Sequence, residues 1–358
     1  MNFRAGLIRG LIAAGHEVVA VAPPDKYVPR LAELGCRYVP LSMDNKGTHP
    51  GRDLLLFWRF LQLLYREKPA VYLGYTVKPN IYGSLAAHML RIPVINNVAG
   101  LGTVFIRTGW LTRLVRGLYR LALSRSAKVF FQNEEDRVLF VSQKLVSAAV
   151  TDRLPGSGID LDHFKPVPLP DKAPLRFLLI ARMLWDKGVG EFVEAARILK
   201  KQGLDVEFCL LGFLDVQNPA AISRQQMDEW TAEGAIRYLG VSDNVAEEIA
   251  LADCVVLPSY REGIPRTLLE AAAMARPIVA TDAVGCRDVV DDGINGYLCK
   301  PRDAADLADK IARMAALSHA EREAMGQRGR EKMEQEFDEQ IVVGKYLHAI
   351  QMILNRSE

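Results

Sequence analysis

The sequence has little net charge, few cysteines and no long apolar run. Its 45 basic and 43 acidic residues nearly balance, so composition does not predict a nucleic-acid-binding protein. The five cysteines are scattered, without a Cys-x-x-Cys pair or a metal-like His/Cys cluster, which favours a reducing, cytoplasmic compartment. No apolar run approaches the roughly 20 residues of a spanning helix, and no secretory signal is visible. We therefore expect any contact with a membrane to be peripheral.

The length and the alternation of patterns predict two α/β domains. The 358 residues are enough for two domains that each bury a core. Apolar runs typical of buried strands alternate with helical patterns in both halves of the chain. The three prolines of 161–173 mark the best linker, so we place the domains at 1–165 and 166–336, followed by a helical segment at 337–358.

The first domain begins with a helix pattern rather than with a strand. Residues 2–12 have helical periodicity and 17–22 have the pattern of a strand. In the doubly wound order 3-2-1-4-5 the first strand is central, so we expect the first strand to be missing and a gap to lie between two strands. A misplaced start of the sequence would explain this, and the alternative is a natural truncation in which another pairing completes the sheet.

The stretch from Glu262 to Glu270 carries the strongest functional signal. It follows the apolar run 254–257, predicted to be a buried strand, and it precedes the strong helix former 271–275. Pro265 suits the first turn of that helix. Glu262 is thereby placed at the carboxyl end of a strand, where open α/β sheets bind ligands, and Glu270 lies in a helix whose free amides can hold an anion.

Two cations flank a predicted turn after the first strand of the second domain. Arg182 and Lys187 lie on either side of this turn, which opens onto a helix with free backbone amides. The arrangement suits a diphosphate whose negative charge grows as it leaves. Taken alone, both this pair and the two glutamates would more often be solvated surface charge, so the interpretation depends on the strand, turn and helix around them.

These motifs together resemble the retaining glycosyltransferases of family 4. Glu262 and Glu270 match the family's E-x7-E motif, and the likeness continues through 276–282, 285–290 and 292–296. The resemblance implies the GT-B fold, in which two Rossmann-like, doubly wound domains face each other across a cleft. It also implies that the helix at 337–358 crosses back onto the first domain.

The resemblance implies roles for residues of the second domain. Arg182 and Lys187 would bind the diphosphate of a nucleotide sugar, Glu270 would hold the ribose, and Glu262 would contact the donor sugar. Arg182, Lys187 and Glu262 form the candidate catalytic group. The full donor-binding set is Arg182, Lys187, Gly240, Val241, Glu262, Gly263, Thr267, Leu268 and Glu270, with the Thr267–Leu268 backbone at the phosphates and Gly240–Val241 beside the base. Family 4 enzymes use no metal for the chemistry, so neither metal nor other cofactor is expected.

The first domain looks like the branch of family 4 that builds lipid-linked bacterial oligosaccharides and includes N-acetylgalactosaminyltransferases. The likeness rests on 76–83 and 100–102, and it departs from the general pattern because 96–102 lacks the histidine that many members carry after this strand. The resemblance implies five acceptor-side residues, which are Thr76, Lys78, Asn80, Gly100 and Gly102. Of these, Lys78, Asn80 and the glycine turn would face the cleft.

The helix predicted at 110–125 has two faces. At about 100° per residue, Arg113, Arg116 and Arg120 share a narrow sector. The opposite side is apolar and comprises Leu111, Leu114, Val115, Leu118, Leu121 and Ala122. An ordinary domain helix explains this pattern, and so does a basic surface for anionic lipid headgroups. The second interpretation places the protein peripherally at the inner face of the cytoplasmic membrane.

The implied activity is the transfer, with retention, of an N-acetylhexosamine or a hexose. The donor would be a UDP-sugar and the acceptor a polyprenyl-diphosphate-linked saccharide of surface polysaccharide or glycan biosynthesis. Two alternatives stay open: a sugar-nucleotide 2-epimerase of the same fold, and a catalytically inactive truncated or partner protein. A Rossmann dehydrogenase is disfavoured, because no G-x-G-x-x-G motif stands between a strand and a helix.

Overall fold

The computed structural model describes residues 4–25, 27–43, 49–100, 110–216 and 218–355. The chain divides into two compact units, of which the first comprises 1–158 with 339–358 and the second comprises 159–338. All strand pairs in both units are parallel among the described residues. Each unit is therefore an α/β structure, as the alternation of patterns predicts.

The described part of the first unit holds two separate sheets. The strands are β1 (Val19–Ala22), β2 (Arg37–Pro40), β3 (Tyr72–Tyr75), β4 (Val94–Val98), β5 (Lys128–Phe131) and β6 (Thr151–Arg153). β1 pairs with β2, and the other four form a sheet in the order β3-β4-β5-β6. The helices are α1 (Ala5–Ala13), α2 (Pro29–Glu33), α3 (Pro50–Glu67), α4 (Ser84–Met89), α5 (Trp110–Leu123) and α6 (Glu134–Ser142).

A cavity of about 680 Å³ separates the two sheets of the first unit. Residues 18–22 of the β1 segment and 71–73 of the β3 segment line it, together with side chains of α1 and α3. Within the described strands, β1 has no partner other than β2, and β3 has none other than β4. The gap that the sequence predicts is therefore present between β1 and β3.

The second unit contains one six-stranded sheet in the order β12-β11-β10-β7-β8-β9. Its strands are β7 (Leu175–Ile180), β8 (Val206–Leu211), β9 (Arg237–Tyr238), β10 (Cys254–Leu257), β11 (Ile278–Thr281) and β12 (Gly296–Cys299). Its helices are α7 (Val189–Lys201), α8 (Arg224–Ala232), α9 (Val245–Ala250), α10 (Arg266–Ala273), α11 (Cys286–Val289), α12 (Ala304–Ala316) and α13 (His319–Lys332). β7 and β10 are neighbours, so the strand order reverses between them, and their loops meet at the sheet's carboxyl edge.

Both faces of this six-stranded sheet are covered by apolar side chains. Strand residues alternate between two cores: Phe177 and Leu179 of β7 face one, and Leu178 and Ile180 face the other. β10 and β11 are buried along their whole length. Such continuous apolar runs are typical of parallel strands buried on both faces.

The last helix, α14 (Glu339–Leu354), belongs to the first unit. Its apolar side packs against Leu7 and Leu11 of α1, through Val342, Val343 and Tyr346. The Tyr346 hydroxyl accepts a hydrogen bond from Nδ2 of Asn97 at 3.0 Å. These contacts attach the end of the chain to the sheet of the first unit through both apolar packing and a buried polar contact.

Two helix starts are set by local features. α3 begins at Pro50, because a proline is accommodated in the first turn and His49 ahead of it is extended. α8 begins at Arg224, because the Ser223 side chain accepts a hydrogen bond from the Gln226 amide at 3.1 Å and caps the helix. Residues 44–48, in the polar stretch before α3, lie outside the described residues.

Candidate active site

Two loops of the second unit meet where the strand order reverses. One follows β7 and ends in Gly188, whose left-handed φ of +71° precedes α7. The other loop follows β10 and contains Pro258. A Cβ added at Gly188 would lie only 2.1 Å from the carbonyl oxygen of Pro258. The Tyr260 amide donates to the carbonyl of Asp186 at 3.0 Å, so backbone contacts fix the two loops against each other.

Lys187 and Glu262 form an ion pair across these two loops. Their side chains are largely buried, with 19% and 15% exposed. Ser259 donates a hydrogen bond from its hydroxyl to the same carboxylate oxygen of Glu262 at 2.7 Å, and the Glu262 amide donates to Val284 at 3.0 Å. The Glu262 carboxylate is thereby held by an opposite charge and a hydroxyl. An ammonium has three donors, so Lys187 keeps hydrogen-bonding capacity for a second anion.

Arg182 begins the loop that ends in Lys187. Its side chain is exposed, and it has no ion-pair or hydrogen-bond partner among the described residues. A guanidinium has five donors in a fixed fork that fits phosphate oxygens. The structure thus brings Lys187 and Glu262 into direct contact and leaves Arg182 available on the same loop.

Glu270 is buried in α10, one helix turn after Arg266. Only 8% of the residue is exposed, and Nε of Arg266 donates to its carboxylate at 2.8 Å. Burial raises the pKa of Glu270 above its ordinary value, and the charges of Arg266 and His163 oppose this effect. The carboxylate therefore has a cationic partner but lies in surroundings that disfavour its charge.

The remaining donor-side residues lie at the same edge of the sheet. Gly240 follows β9 with φ of +76°, and its carbonyl accepts from the Gly212 amide at 2.8 Å. Val241 beside it is half exposed, and Gly263 and Thr267 are half-buried. The Leu268 side chain is fully buried, and its amide donates to the Pro265 carbonyl at 3.1 Å, so this amide has an acceptor within the chain.

Several polar residues around the site were not singled out from the sequence. Ser259 contacts Glu262, and Thr281 donates to the Ser259 carbonyl. The Tyr260 hydroxyl donates a hydrogen bond to Oε1 of Glu191 at 2.6 Å. Burial raises the pKa of the Tyr260 phenol, and the Glu191 carboxylate raises it further. Ser259 and Tyr260 stand in the loop after β10, which is the signal that the sequence offers for them. Ser259 is only three residues from Glu262, whereas Glu191, the partner of Tyr260, is 69 residues away.

On the acceptor side, the structure separates Asn80 from the other predicted residues. Thr76 is exposed with φ of +62°, and Nζ of Lys78 forms an ion pair with Asp53 at 2.8 Å. Gly100 follows β4 with φ of +133°. Gly102 lies outside the described residues.

Asn80 is fully buried in the first unit, so the expectation that it faces a cleft is wrong. Its Nδ2 donates to the carbonyl of Asn97 at 2.8 Å, and its Oδ1 accepts from Asn96 at 3.0 Å. Asn96 in turn accepts from the hydroxyl of Ser126 at 2.7 Å. A buried amide is retained where its hydrogen bonds are satisfied, and these bonds tie Asn80 to β4 rather than to solvent.

The faces of α5 differ from the predicted division. Arg113 and Arg120 are exposed, and Arg116 is half-buried with its Nε lacking a partner in the described part of the chain. Leu114 and Leu121, predicted to be on the core side, are 51% and 59% exposed. Tyr119 and Leu123 are buried instead. The solvent face of α5 is therefore mixed, with both arginine and leucine.

Membrane-spanning helices and metal clusters are not found in the described ranges. No helix there is long and apolar enough to cross a bilayer. Across the same ranges, no three or more His, Cys, Asp or Glu side chains are grouped as a metal would require.

Gly188→Ala is expected to lower the free energy of unfolding by clearly more than Gly203→Ala. Both glycines have a left-handed φ, of +71° and +77°, which costs an L-residue about 1–2 kcal/mol. Only the Cβ at 188 also meets a carbonyl oxygen, whereas the space around 203 is open. Urea unfolding of both variants measures the difference; equal losses would contradict the close approach of the two loops.

Replacing Glu270 by glutamine is expected to change how stability depends on pH. Because burial raises the pKa of Glu270 above 4.5 in the folded state, wild type loses stability as pH rises from the unfolded pKa through the folded pKa. Glu270→Gln lacks this loss, so its melting temperature should rise relative to wild type as the pH increases from the unfolded pKa of a glutamate through the raised folded pKa. Glu247→Gln, which changes an exposed glutamate on α9, is the control. A flat difference at Glu270 would refute the effect of burial.

Both halves of the chain match known families. The family described as "Glycosyl transferase 4-like domain" matches residues 3–156, and the one described as "Glycosyl transferases group 1" matches 174–316. The chain is 30% identical over 372 residues to the N,N'-diacetylbacillosaminyl-diphospho-undecaprenol alpha-1,3-N-acetylgalactosaminyltransferase of Campylobacter jejuni, which covers 97% of this chain and 94% of that protein.

Solved structures share the fold at lower sequence identity. A glycosyltransferase from Rickettsia africae superimposes with a TM-score of 0.79 at 16% identity, covering 99% of this chain and 94% of that one. Anabaena HepE in complex with UDP and glucose gives a TM-score of 0.79 at 18% identity, with coverage of 98% and 96%. The two doubly wound units are those of the GT-B fold, and the chain belongs to the family 4 (group 1) glycosyltransferases.

Proposed function

We propose that the protein transfers a sugar, with retention, from a UDP-sugar to a polyprenyl-diphosphate-linked saccharide. The Campylobacter relative is, by its name, an N-acetylgalactosaminyltransferase acting on an undecaprenyl-diphosphate-linked sugar. Anabaena HepE has been solved with UDP and glucose. These two descriptions support an N-acetylhexosamine or a hexose as the transferred group and UDP as its carrier.

The observation that carries the proposal is the contact between Lys187 and Glu262. In a nucleotide sugar the diphosphate is bonded directly to the anomeric carbon, so groups that bind the two must be neighbours. Lys187 is proposed to bind the diphosphate, and Glu262 is proposed to bind the sugar. Their contact across two loops at the reversal of strand order is the arrangement that such a donor requires.

Arg182 and Lys187 are proposed to stabilise the departing diphosphate. As the bond between the anomeric carbon and the phosphate oxygen breaks, negative charge grows on that oxygen, and two nearby cations stabilise the transition state more than the bound donor. The acceptor hydroxyl oxygen bonds to the anomeric carbon on the same face, and its proton passes to the leaving phosphate. This charge neutralisation by side chains is the basis on which we propose chemistry without a metal.

Glu270 is proposed to hold the ribose. An ionised carboxylate accepts hydrogen bonds from two vicinal hydroxyls, and the position of Glu270 in the second turn of α10 places it behind the amides of the first turn. Arg266 supplies a cation that favours the ionised form of the buried carboxylate and opposes the effect of burial on its pKa. Gly240, Val241, Gly263, Thr267 and Leu268 complete the proposed donor set.

The acceptor and the membrane are assigned to the first unit. Thr76, Lys78, Gly100 and Gly102 are proposed to contact the lipid-linked saccharide. The exposed Arg113 and Arg120 of α5, with the half-buried Arg116, are proposed to face phosphate groups at the inner surface of the cytoplasmic membrane. The exposed Leu114 and Leu121 between them would then contact the lipid side of the interface.

UDP is expected to raise the melting temperature of the protein, and Glu270→Ala should abolish the shift. A ligand that binds only the folded state raises the midpoint by mass action. The control is Glu247→Ala, which removes an exposed carboxylate of the same unit and should keep the shift. Comparing UDP-N-acetylgalactosamine, UDP-N-acetylglucosamine and UDP-glucose then ranks the donors. A full UDP shift in Glu270→Ala would refute the ribose assignment.

Arg182→Ala is expected to lower turnover by roughly 100-fold while the donor dissociation constant changes much less. The reason is that the charge it meets develops in the transition state. The measurement compares kcat with donor affinity from calorimetry, using a lipid-linked acceptor. Full turnover in Arg182→Ala would refute the diphosphate assignment, and conversion of the UDP-sugar without acceptor would indicate the 2-epimerase instead.

A further inference from the structure

Tyr260 holds the loop of Lys187 at two points, one on each side of the lysine. Its amide donates to the carbonyl of Asp186 at 3.0 Å, and its hydroxyl donates to Oε1 of Glu191 at 2.6 Å. Asp186 directly precedes Lys187, and Glu191 follows in the first turn of α7. A single residue of the loop after β10 therefore fixes the chain before and after Lys187.

This link runs beside the ion pair between Lys187 and Glu262. Tyr260 and Glu262 belong to the loop after β10, whereas Lys187 and Glu191 belong to the segment that leads from β7 into α7. The hydrogen bond from Tyr260 to Glu191 and the ion pair therefore connect the same two segments at neighbouring points. Movement of one segment against the other would stretch both contacts.

Within the described residues, the Tyr260 hydroxyl is the one hydrogen-bond donor to the Glu191 side chain. The second carboxylate oxygen of Glu191, Oε2, is buried and has no partner in that part of the chain. Without the hydroxyl, neither oxygen would have a donor from the protein. Because a hydrogen bond to a carboxylate is charge-assisted and a buried acceptor is costly to leave without a donor, this contact fixes the separation of the two segments firmly.

Arg302 contacts the face of the Tyr260 ring. Its guanidinium carbon lies 4.5 Å from the ring centre, which is within the range of cation–π contacts. Arg302 stands just before α12, so the ring joins three segments of the second unit: the loop after β10, the first turn of α7 and the residues ahead of α12. The ring is held at its face, its hydroxyl and its backbone amide, and the hydroxyl is thereby preorganised for Glu191.

Binding of a donor would weaken the ion pair but not the bond from Tyr260 to Glu191. A diphosphate that binds Lys187 competes with Glu262 for the donors of its ammonium. A sugar that binds Glu262 likewise competes with Lys187 for the oxygens of its carboxylate. The bond between Tyr260 and Glu191 involves neither group, so it still joins the two segments when the donor is in place.

We propose, on the basis of the proposed transferase function, that Tyr260 and Glu191 are positioning residues for sugar transfer. Their hydrogen bond keeps Lys187 and Glu262 at the separation that the donor requires while the donor loosens the ion pair. Groups that stabilise a transition state must be held to within about 0.5 Å of the productive geometry. Neither Tyr260 nor Glu191 touches the substrate, and both act through the segment that carries Lys187.

The test compares Tyr260→Phe with wild type in transfer from a UDP-sugar to a lipid-linked acceptor. This change removes only the hydroxyl and keeps the ring that Arg302 contacts. Turnover should fall about tenfold while the donor dissociation constant from calorimetry changes less than about threefold, because the binding groups remain and only their alignment is lost. The matched control is Tyr297→Phe, since Arg313 lies over the Tyr297 ring at the same 4.5 Å, and its turnover should equal that of wild type.

Variants of Glu191 test whether the two residues act as a pair. Glu191→Gln keeps a carbonyl oxygen that can accept from the phenol, so it should retain most of the turnover. Glu191→Ala should lose as much turnover as Tyr260→Phe. Because both changes remove the same bond, the double variant Tyr260→Phe/Glu191→Ala should be no slower than either single variant. The UDP-induced melting shift, measured on each variant, shows that its second unit is folded.

Full turnover in Tyr260→Phe would overturn the proposal, and a lower melting temperature alone would make the link purely structural. Equal losses of turnover and donor affinity would indicate direct contact with the donor instead. Additive losses in the double variant would show that Tyr260 and Glu191 act separately. If wild type itself transferred no sugar, the proposed function would fail and this role with it, so the two failures are distinguishable.

Discussion

The candidate site depends on the reversal of strand order between β7 and β10. Because both strands are parallel and adjacent, the loops that follow them emerge side by side, and the ion pair between Lys187 and Glu262 joins them. Two charges this far from solvent would each be costly alone, so each fixes the place of the other. The loop geometry, the conformation at Gly188 and the hydroxyl of Ser259 all serve this single contact.

The sequence predicts the elements of the second unit well because its strands are continuous apolar runs and its loops contain chemistry-bearing residues. Residues 254–257 are recognisable as a buried strand, and the helix after Pro265 follows from its composition. The contacts of Glu262, in contrast, cannot be predicted from the local sequence. Ser259 is close in sequence but hydroxyls are common in loops, and the contact with Lys187, 75 residues away, depends on the order of strands.

The first unit is less predictable because polarity does not reveal burial there. Asn80 follows a strand and has a polar side chain, which suggests a ligand contact, but its amide is satisfied by Asn96 and Asn97 inside the unit. The pattern of α5 similarly suggests that every leucine faces the core, whereas Leu114 and Leu121 do not. Helical periodicity gives the angular position of each side chain around the helix axis. Only the elements that pack against the helix determine which of these side chains are buried.

The division of the first unit into two sheets has a consequence for how the protein behaves at high concentration. Among the described strands, β1 and β3 each keep one edge without a strand partner, and both edges face the apolar cavity between them. Exposed strand edges pair readily with any extended polypeptide that can reach them. The described sheets of the first unit have four such edges, at β1, β2, β3 and β6, against two in the second unit, at β9 and β12, so strand exchange between molecules is favoured in the first unit.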